Sequence, residues 1–491
     1  MTSASIYWYD FETFGSNPRR DRASQFAGIR TDENLNIIGD PLVLYCQPSP
    51  DFLPNPMACL VTGITPQKAL SEGVCEAEFI RLIHAEFAQG GTCVAGYNSI
   101  RFDDELTRQL LYRNFFDPYE REWKNGNTRW DILDMARLAA ATRPEGIVWP
   151  KREDGTNSFR LEALTGANGI EHADAHDALS DVLATIEMAR LIKQAQPRLF
   201  DYVYRSRTKK AVRRQLDLKS GKPLLHVSGM YPAAQGCMAV IVPVCPHPTD
   251  SNGVIVYDLR FDPDTWADLS NEEIRARLFT SNELLPKGVC RIPLKTIHIN
   301  KCPILTSPTV LSSDLALQYG ISEERTRVHW EKMMKMPHLA QKVSNALRRE
   351  DLPKPDDPDF MVYSGGFFND GDKELMRVVR NTDATELARL DLPFKDGRLQ
   401  EMFFRYRARN FPGTLTEEET ERWRLFCLQR INSAETRVNY SEDLEKAKTL
   451  ADPSQLESLA QLEHYVLILS KQQSSRKTMR SSGNKSQLRA P

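Results

Sequence analysis

The chain has no uninterrupted run of the ~20 apolar residues that a membrane span needs, so an integral membrane protein is not expected. Its nine cysteines are scattered singly, and no two stand as Cys-x-x-Cys. An odd, unclustered set argues against a disulfide framework and against a cysteine-rich zinc site, and it suits a reducing, cytoplasmic compartment. The N-terminus has neither the basic flank nor the apolar core of a secretory signal. An excess of one charge is missing too. Lys plus Arg number 64 and Asp plus Glu 66, a net charge of −2, so any affinity for a polyanion must come from local clustering. No internal repeat is present. What remains is an ordinary apolar content, 41% of 491 residues, too long a chain for one core and sized for about three domains.

Residues 5–13 read as a strand rich in aromatics, and 26–30 and 36–46 as two more. The polar turn between these two, Thr31 to Asn34, suggests an antiparallel meander. Residues 93–97 form a short apolar strand. Helical patterns follow at 103–114, 130–142, 160–168 and 175–195, the last with Ala178, Val182, Ile186, Ala189 and Ile192 at helical spacing. Strands first, then strands mixed with helices, predict an α/β unit with a central mixed sheet. A boundary falls near Pro197. Residues 224–304 are strand-rich, the chain turns helical from about 323, 350–359 is a Pro/Asp linker, and 371–472 is mostly helical. Residues 471–491 hold six basic residues and no acid, and the end of the chain is expected to be a disordered basic tail.

Three acidic pieces carry the chemistry. Asp10 and Glu12 stand at i and i+2 of the first strand, so they share a face with Cα atoms ~6.6 Å apart. Two carboxylates so placed can bracket hard cations such as magnesium, although a solvated strand end has the same pattern. Asp103 and Asp104 follow the short strand at a helix start, where acids also favour the helix dipole. One of the two is expected to be a dipole partner and the other a ligand. The third piece runs from His172 to Asp181. His176 precedes Asp181 by five residues, and Asp177 competes with Asp181 because the two are four apart.

As an ordered set, these pieces resemble the DEDDh exonucleases, which have a ribonuclease-H-like fold. The match assigns Asp10 and Glu12 to the first motif, Asp103 to the second, and His176 and Asp181 to the third. Phosphodiester cleavage needs an attacking hydroxide, a stabilised phosphorus and a stabilised leaving oxygen, all of which two metal ions can supply. A histidine with an ordinary pKa of ~6.5 can take the water's proton near neutral pH.

The resemblance narrows to the bacterial exodeoxyribonuclease I family. It is carried by DFETFG (10–15), GYNSIRFDDE (96–105), RPEGI (143–147), SFRLEALTGANGIEH (158–172), QPRLFDY (196–202), HVSGM (226–230), HINKCP (298–303) and YRARNFPGTL (406–415). It implies stepwise 3′-to-5′ removal of nucleoside 5′-monophosphates from single-stranded DNA in repair and recombination. The implied cofactor is two Mg²⁺ ions, with Mn²⁺ able to substitute, and the implied state is a monomer. The implied parts are a ribonuclease-H-like nuclease domain (1–196), an SH3-like β domain with a helical extension (197–349), a C-terminal helical domain (350–472) and the basic tail (473–491). Beyond about residue 416 the match loosens, and Asp174 has no explanation.

The segment 205–222 holds eight basic residues against one acid, including Lys209, and beside a phosphodiesterase centre it suits a phosphate track. Arg108, Tyr119, Trp123, Arg137 and Arg160 are candidate strand contacts, the aromatics for base stacking and the arginines for phosphates. Phe11, Glu12 and Thr13 are candidates for the terminal nucleotide. The family also binds the C-terminal tail of single-stranded DNA-binding protein, for which Arg143, Tyr202 and Lys222 lie in matching stretches. Two other readings stand beside this one: an RNA exonuclease with the same five residues, and an inactive binding module that keeps the fold.

Overall fold

The computed structural model describes residues 4–172, 176–348 and 355–474. Strands β1 (Ser5–Thr13), β2 (Ala23–Thr31), β3 (Leu42–Tyr45), β4 (Thr92–Gly96) and β5 (Thr128–Asp131) form one mixed sheet of order β3-β2-β1-β4-β5. The β1/β2 and β2/β3 pairs are antiparallel, as the meander predicts, and β1/β4 and β4/β5 are parallel. The period of two in β1 explains its place. Tyr7, Tyr9 and Phe11 join Phe26, Phe79, Ile83 and Phe87 on one face, while Ile6 and Trp8 pack on the other with Val182, Ile186 and Ala189. With both faces covered, β1 is buried along nearly its whole length.

Three expectations need correction. The strand read at 36–46 is only Leu42–Tyr45, because Asp32 accepts the Asn34 and Asn36 N–H groups and Gly39, at φ +96°, and Pro41 interrupt the ladder. The helix read from 130 starts at Ile132, because Thr128–Asp131 pairs with β4 and Asp131 caps the helix Ile132–Thr142. The helix read from 175 is Ala178–Ala195, so His176 lies in the turn before it. The helices Pro56–Thr62, Pro66–Glu72 and Glu76–Phe87 add to what periodicity had indicated.

A second sheet, all antiparallel, holds β6 (Leu224–Val227), β7 (Met238–Pro246), β8 (Gly253–Asp258), β9 (Leu294–His298) and β10 (Ile304–Thr306) in the order β10-β6-β7-β8-β9. Its core is continuous with that of the first sheet, from Ala136 and Leu138 to Leu225 and Val227. The C-terminal helices Asp370–Asn381, Gly397–Asn410, Glu417–Ile431, Ala434–Leu450 and Pro453–Ser474 meet the first unit twice. Tyr112 and Phe115 pack with Met402, Phe403 and Tyr406, and Cys59 and Leu60 pack with Leu444, Leu459 and Leu462. Each fully buried side chain of this kind contributes roughly 1.5–3 kcal/mol. The expected tail loses its first two residues to the last helix, and its remainder lies outside the described residues. No helix among the described residues is long and apolar enough to cross a membrane.

Candidate active site

Asp10 and Glu12 continue the face of Ile6 and Trp8, so acids replace the apolar residues where that face reaches the end of the sheet. They open into a cleft of about 960 Å³, also lined by Tyr97, Asp103, Arg137, Arg160, His176 and Asp181. Asp103 arrives from the opposite side. β4 ends at Gly96, where a Cβ would stand 2.8 Å from the Tyr9 carbonyl oxygen, so only glycine lets the chain pass. The following loop is tied to Asp131, whose carboxylate accepts the Asn98 N–H (2.9 Å), the Ile100 N–H (3.2 Å) and the Leu133 N–H (3.0 Å). This delivers Asp103 to the first turn of the helix Asp103–Arg113.

The two open choices have geometric answers. Asp104 is fully engaged: it accepts from the Tyr9 hydroxyl (3.0 Å), Arg121 (2.5 Å) and Arg129 (2.6 Å). Burial raises its pKa, but Arg129, Arg121 and Arg108 outweigh burial and hold it well below the carboxylate range. Asp177 is the N-cap of the helix Ala178–Ala195, bonded to the Leu179 and Ser180 N–H groups and to Gln25. Asp103 and Asp181 are therefore the members of each pair that face the cleft.

Electrostatics in the cleft is one-sided. Burial, then Asp103 and Asp181, push the Asp10 carboxyl well above its usual range, and burial with Asp10 and Asp181 raises Glu12 to about 9. Burial and Asp104 raise Asp103. A cation placed among these acids would relieve their repulsion, and ligand atoms of Glu12, His176 and Asp181 lie within 4.8 Å of one another. Carboxylate oxygens are the donors that hard divalent ions accept, and the His176 imidazole stands beside them.

His176 has φ 71°, uncommon for a residue with a side chain, and its Nε2 stands 4.0 Å from Glu162. Asp181 makes a bond that spacing did not reveal: its Oδ1 is 2.6 Å from Nε2 of buried His172. Burial raises the Asp181 pKa, against which His172 acts. Asp131 and His172 were missed from the sequence because their partners lie on other elements. Asp174 lies outside the described residues.

The candidate strand contacts divide between two clefts. Arg160, at the start of the helix Leu161–Ala167, and Arg137, bound to Asp134 and set against Phe159, line the acidic cleft. The Phe11 ring instead packs against Phe26 and Phe79. Thr13 is buried and donates to the Gly15 carbonyl. Arg108, Tyr119, Trp123 and Lys209 line a second cleft of about 1110 Å³, walled by both sheets and the C-terminal region. Arg108 is tied to Glu122 (2.8 Å) beneath Tyr119, so it braces this wall, whereas Trp123 is 63% exposed. Arg19, Arg129, Arg207, Lys210, Lys301 and Lys373 add positive charge, and exposed Phe367 faces Tyr119.

Of the candidate partner contacts, Arg143 donates to the Val310 carbonyl (2.7 Å) and the Tyr202 hydroxyl to that of Leu305 (2.9 Å). Lys222 is exposed just before β6.

Comparison with known proteins covers the whole arrangement. Residues 7–189 match the family described as Exonuclease, 207–349 the Exonuclease I SH3-like domain, and 356–469 the Exonuclease I C-terminal domain. The chain is 44% identical to exodeoxyribonuclease I of Escherichia coli K12, across 90% of this chain and 93% of that one. Among solved structures, Exonuclease I from Methylocaldum szegediense is 49% identical at TM-score 0.90, with 95% of this chain and 100% of that one covered. E. coli Exonuclease I in complex with a dA16 oligonucleotide has TM-score 0.91 at 42% identity, covering 95% and 100%. A structure of SSB/Exonuclease I with an inhibitor has TM-score 0.88 at 41% identity, covering the same shares.

Proposed function

The chain belongs to the exodeoxyribonuclease I family, and from that membership we propose that it removes nucleoside 5′-monophosphates one at a time from the 3′ end of single-stranded DNA. The observation that carries this reading is the group of acids at Asp10, Glu12, Asp103 and Asp181, whose pKa values burial and mutual repulsion raise, in a cleft beside a basic, aromatic-lined one. These four carboxylates would hold two Mg²⁺, for which Mn²⁺ substitutes. Bound there, the ions would supply charge neutralisation at the phosphate and acidify a water molecule. His176 accepts the proton from that water, with Glu162 standing 4.0 Å from its Nε2. Arg160 and Arg137 hold the phosphate of the terminal nucleotide in place. Upstream, Lys209, Lys210 and Arg207 follow the backbone, and Trp123 and Tyr119 offer stacking faces, together with Phe367.

We assign the nuclease unit to residues 1–206 rather than 1–196, because Phe200 and Tyr204 each pack 5.1 Å from the Trp130 ring of the first sheet. The SH3-like unit then runs to 349 and the helical unit from 350 to 474. The acidic tail of single-stranded DNA-binding protein would dock at Arg143, Tyr202 and Lys222. Support comes from the solved SSB complex of the relative and from the shared seat of Arg143 and Tyr202 on residues 305–310. The protein would act as a cytoplasmic monomer.

Replacement of Asp181 by Ala tests the assignment. Nucleotide release from single-stranded DNA is expected to disappear while DNA binding persists, and matched RNA should be cut far more slowly by the native protein. Unaltered release in the variant, or equal rates on RNA, contradicts the reading.

A further inference from the structure

His172 lies outside the five-residue motif, yet it is more deeply placed than His176: its side chain is 4% exposed, against 44% for His176. Both of its ring nitrogens are engaged. Nε2 is 2.6 Å from Asp181 Oδ1, and Nδ1 is 3.1 Å from Thr165 Oγ1. An ionised carboxylate has no proton to give, so Nε2 carries the hydrogen and donates it. With the hydrogen on Nε2, Nδ1 accepts, so Thr165 gives its one hydroxyl hydrogen to the ring; its Oγ1 also lies 3.0 Å from the Leu161 carbonyl and 3.1 Å from that of Glu162 in the helix Leu161–Ala167.

The chain Thr165–His172–Asp181 thus joins the helix Leu161–Ala167 to the helix Ala178–Ala195 and ends on a carboxylate of the cleft. Asp181 stands near the start of the helix Ala178–Ala195 and is only partly buried, so its χ angles are not fixed by packing alone. A donor on Oδ1 fixes the plane of the carboxylate and leaves Oδ2 to the cleft. Histidine and carboxylate partners of metal ligands act in this way, and losing one typically costs 10–100-fold in metal affinity or activity.

We propose that His172 is a positioning residue that orients Asp181 for binding a divalent cation, with Thr165 fixing the imidazole. The proposal rests on the reading of Asp181 as a metal ligand. It separates two histidines four residues apart: His176 takes a proton in the reaction, and His172 holds a ligand in place. His172 is not among the residues that line the acidic cleft.

The test is Mn²⁺ binding followed by electron paramagnetic resonance, without substrate, on the native protein and on His172→Ala and His172→Gln. A glutamine amide reaches about as far as Nε2 and restores a donor to Asp181. The Ala variant is expected to bind Mn²⁺ roughly 10–100-fold more weakly, and the Gln variant to recover most of that loss. The Mn²⁺ needed for half-maximal exonuclease rate should shift in parallel, with the rate at saturating Mn²⁺ changing less. Thermal unfolding of the metal-free proteins separates misfolding from the proposed effect, since a general loss of structure would lower the midpoint in both variants. Native-like Mn²⁺ affinity in the Ala variant overturns the role of His172. A native protein that binds no Mn²⁺ overturns the reading of the acidic site itself, and the two failures are therefore distinguishable.

Discussion

Asp103 and Asp104 share a backbone and a burial level but live in opposite electrostatic surroundings. Asp103 is surrounded by acids and has its carboxyl pKa raised, whereas Asp104 is clasped by Arg121 and Arg129. Removing the carboxylate charge should therefore have opposite effects at the two positions. Asp103→Asn removes a repelling charge, so the metal-free protein should melt no lower than native while activity falls on the order of 10⁴-fold or more, the scale at which members of a catalytic set act. Asp104→Ala strands Arg121 and Arg129 in the interior and should cost roughly 3 kcal/mol or more. Calorimetry paired with a nuclease assay checks both; a destabilised Asp103→Asn, or a native-like melt for Asp104→Ala, contradicts this division. The distinction was not legible in the sequence, because Arg121 and Arg129 stand 17 and 25 residues away and reach Asp104 only through folding.

At the scale of elements, the helix Ala178–Ala195 begins where the chemistry needs it to. Asp177 caps it and, through Gln25, ties it to β2, which leaves His176 in a left-handed turn facing Glu12. Asp177→Ala should cost about 1 kcal/mol as a lost cap. It should also lower kcat about tenfold to a hundredfold with little change in KM, since misplacement by an ångström can cost that much. A lower melting temperature with unchanged kcat would show that the cap does not position the turn. Elements with a long period were readable: β1 by its alternation, and this helix by Val182, Ile186 and Ala189. Strand β5 has only four residues, too few to express a period, and its Asp131 doubles as a helix cap, so the segment reads as the start of the helix. His172 reads as an ordinary polar residue because Thr165 and Asp181 meet it only in three dimensions.

Across the whole molecule, the helical region is latched to the nuclease unit by buried charge. Asp51 pairs with Arg22 of its own unit and reaches across to Arg409 and Arg430; around this crossing, Asp359 pairs with Arg405 and Arg409 within the helical region, and Glu76 with Arg113 and Arg22 within the nuclease unit. Burial raises Glu76, but Arg113 and Arg22 outweigh it and bring its pKa to about 2 from an ordinary 4.5. A depressed carboxylate pKa adds stability above the unfolded value and loses it as pH falls through the folded one. The stability gap between the native protein and Glu76→Gln should thus be full at pH 7 and close as pH falls from about 4.5 to about 2. Urea midpoints across that range decide, and a gap independent of pH contradicts a stabilising role for the buried Glu76 ion pairs that flank the latch. The three-part organisation and the mixed sheet were legible from strand and helix order together with the resemblance. The latch was not, since its arginines and acids lie in units far apart in sequence.

The central claim is that the Asp10, Glu12, Asp103 and Asp181 carboxylates form a metal-dependent centre acting on a single-stranded DNA 3′ end. The most direct test is incubation of the protein with 5′-labelled single-stranded DNA, with and without Mg²⁺, followed by separation of the labelled fragments. The label should stay on fragments that shorten from the 3′ end, and only when the metal is present. Cleavage in the presence of a chelator, internal cuts, or immediate release of the label as a mononucleotide would contradict it.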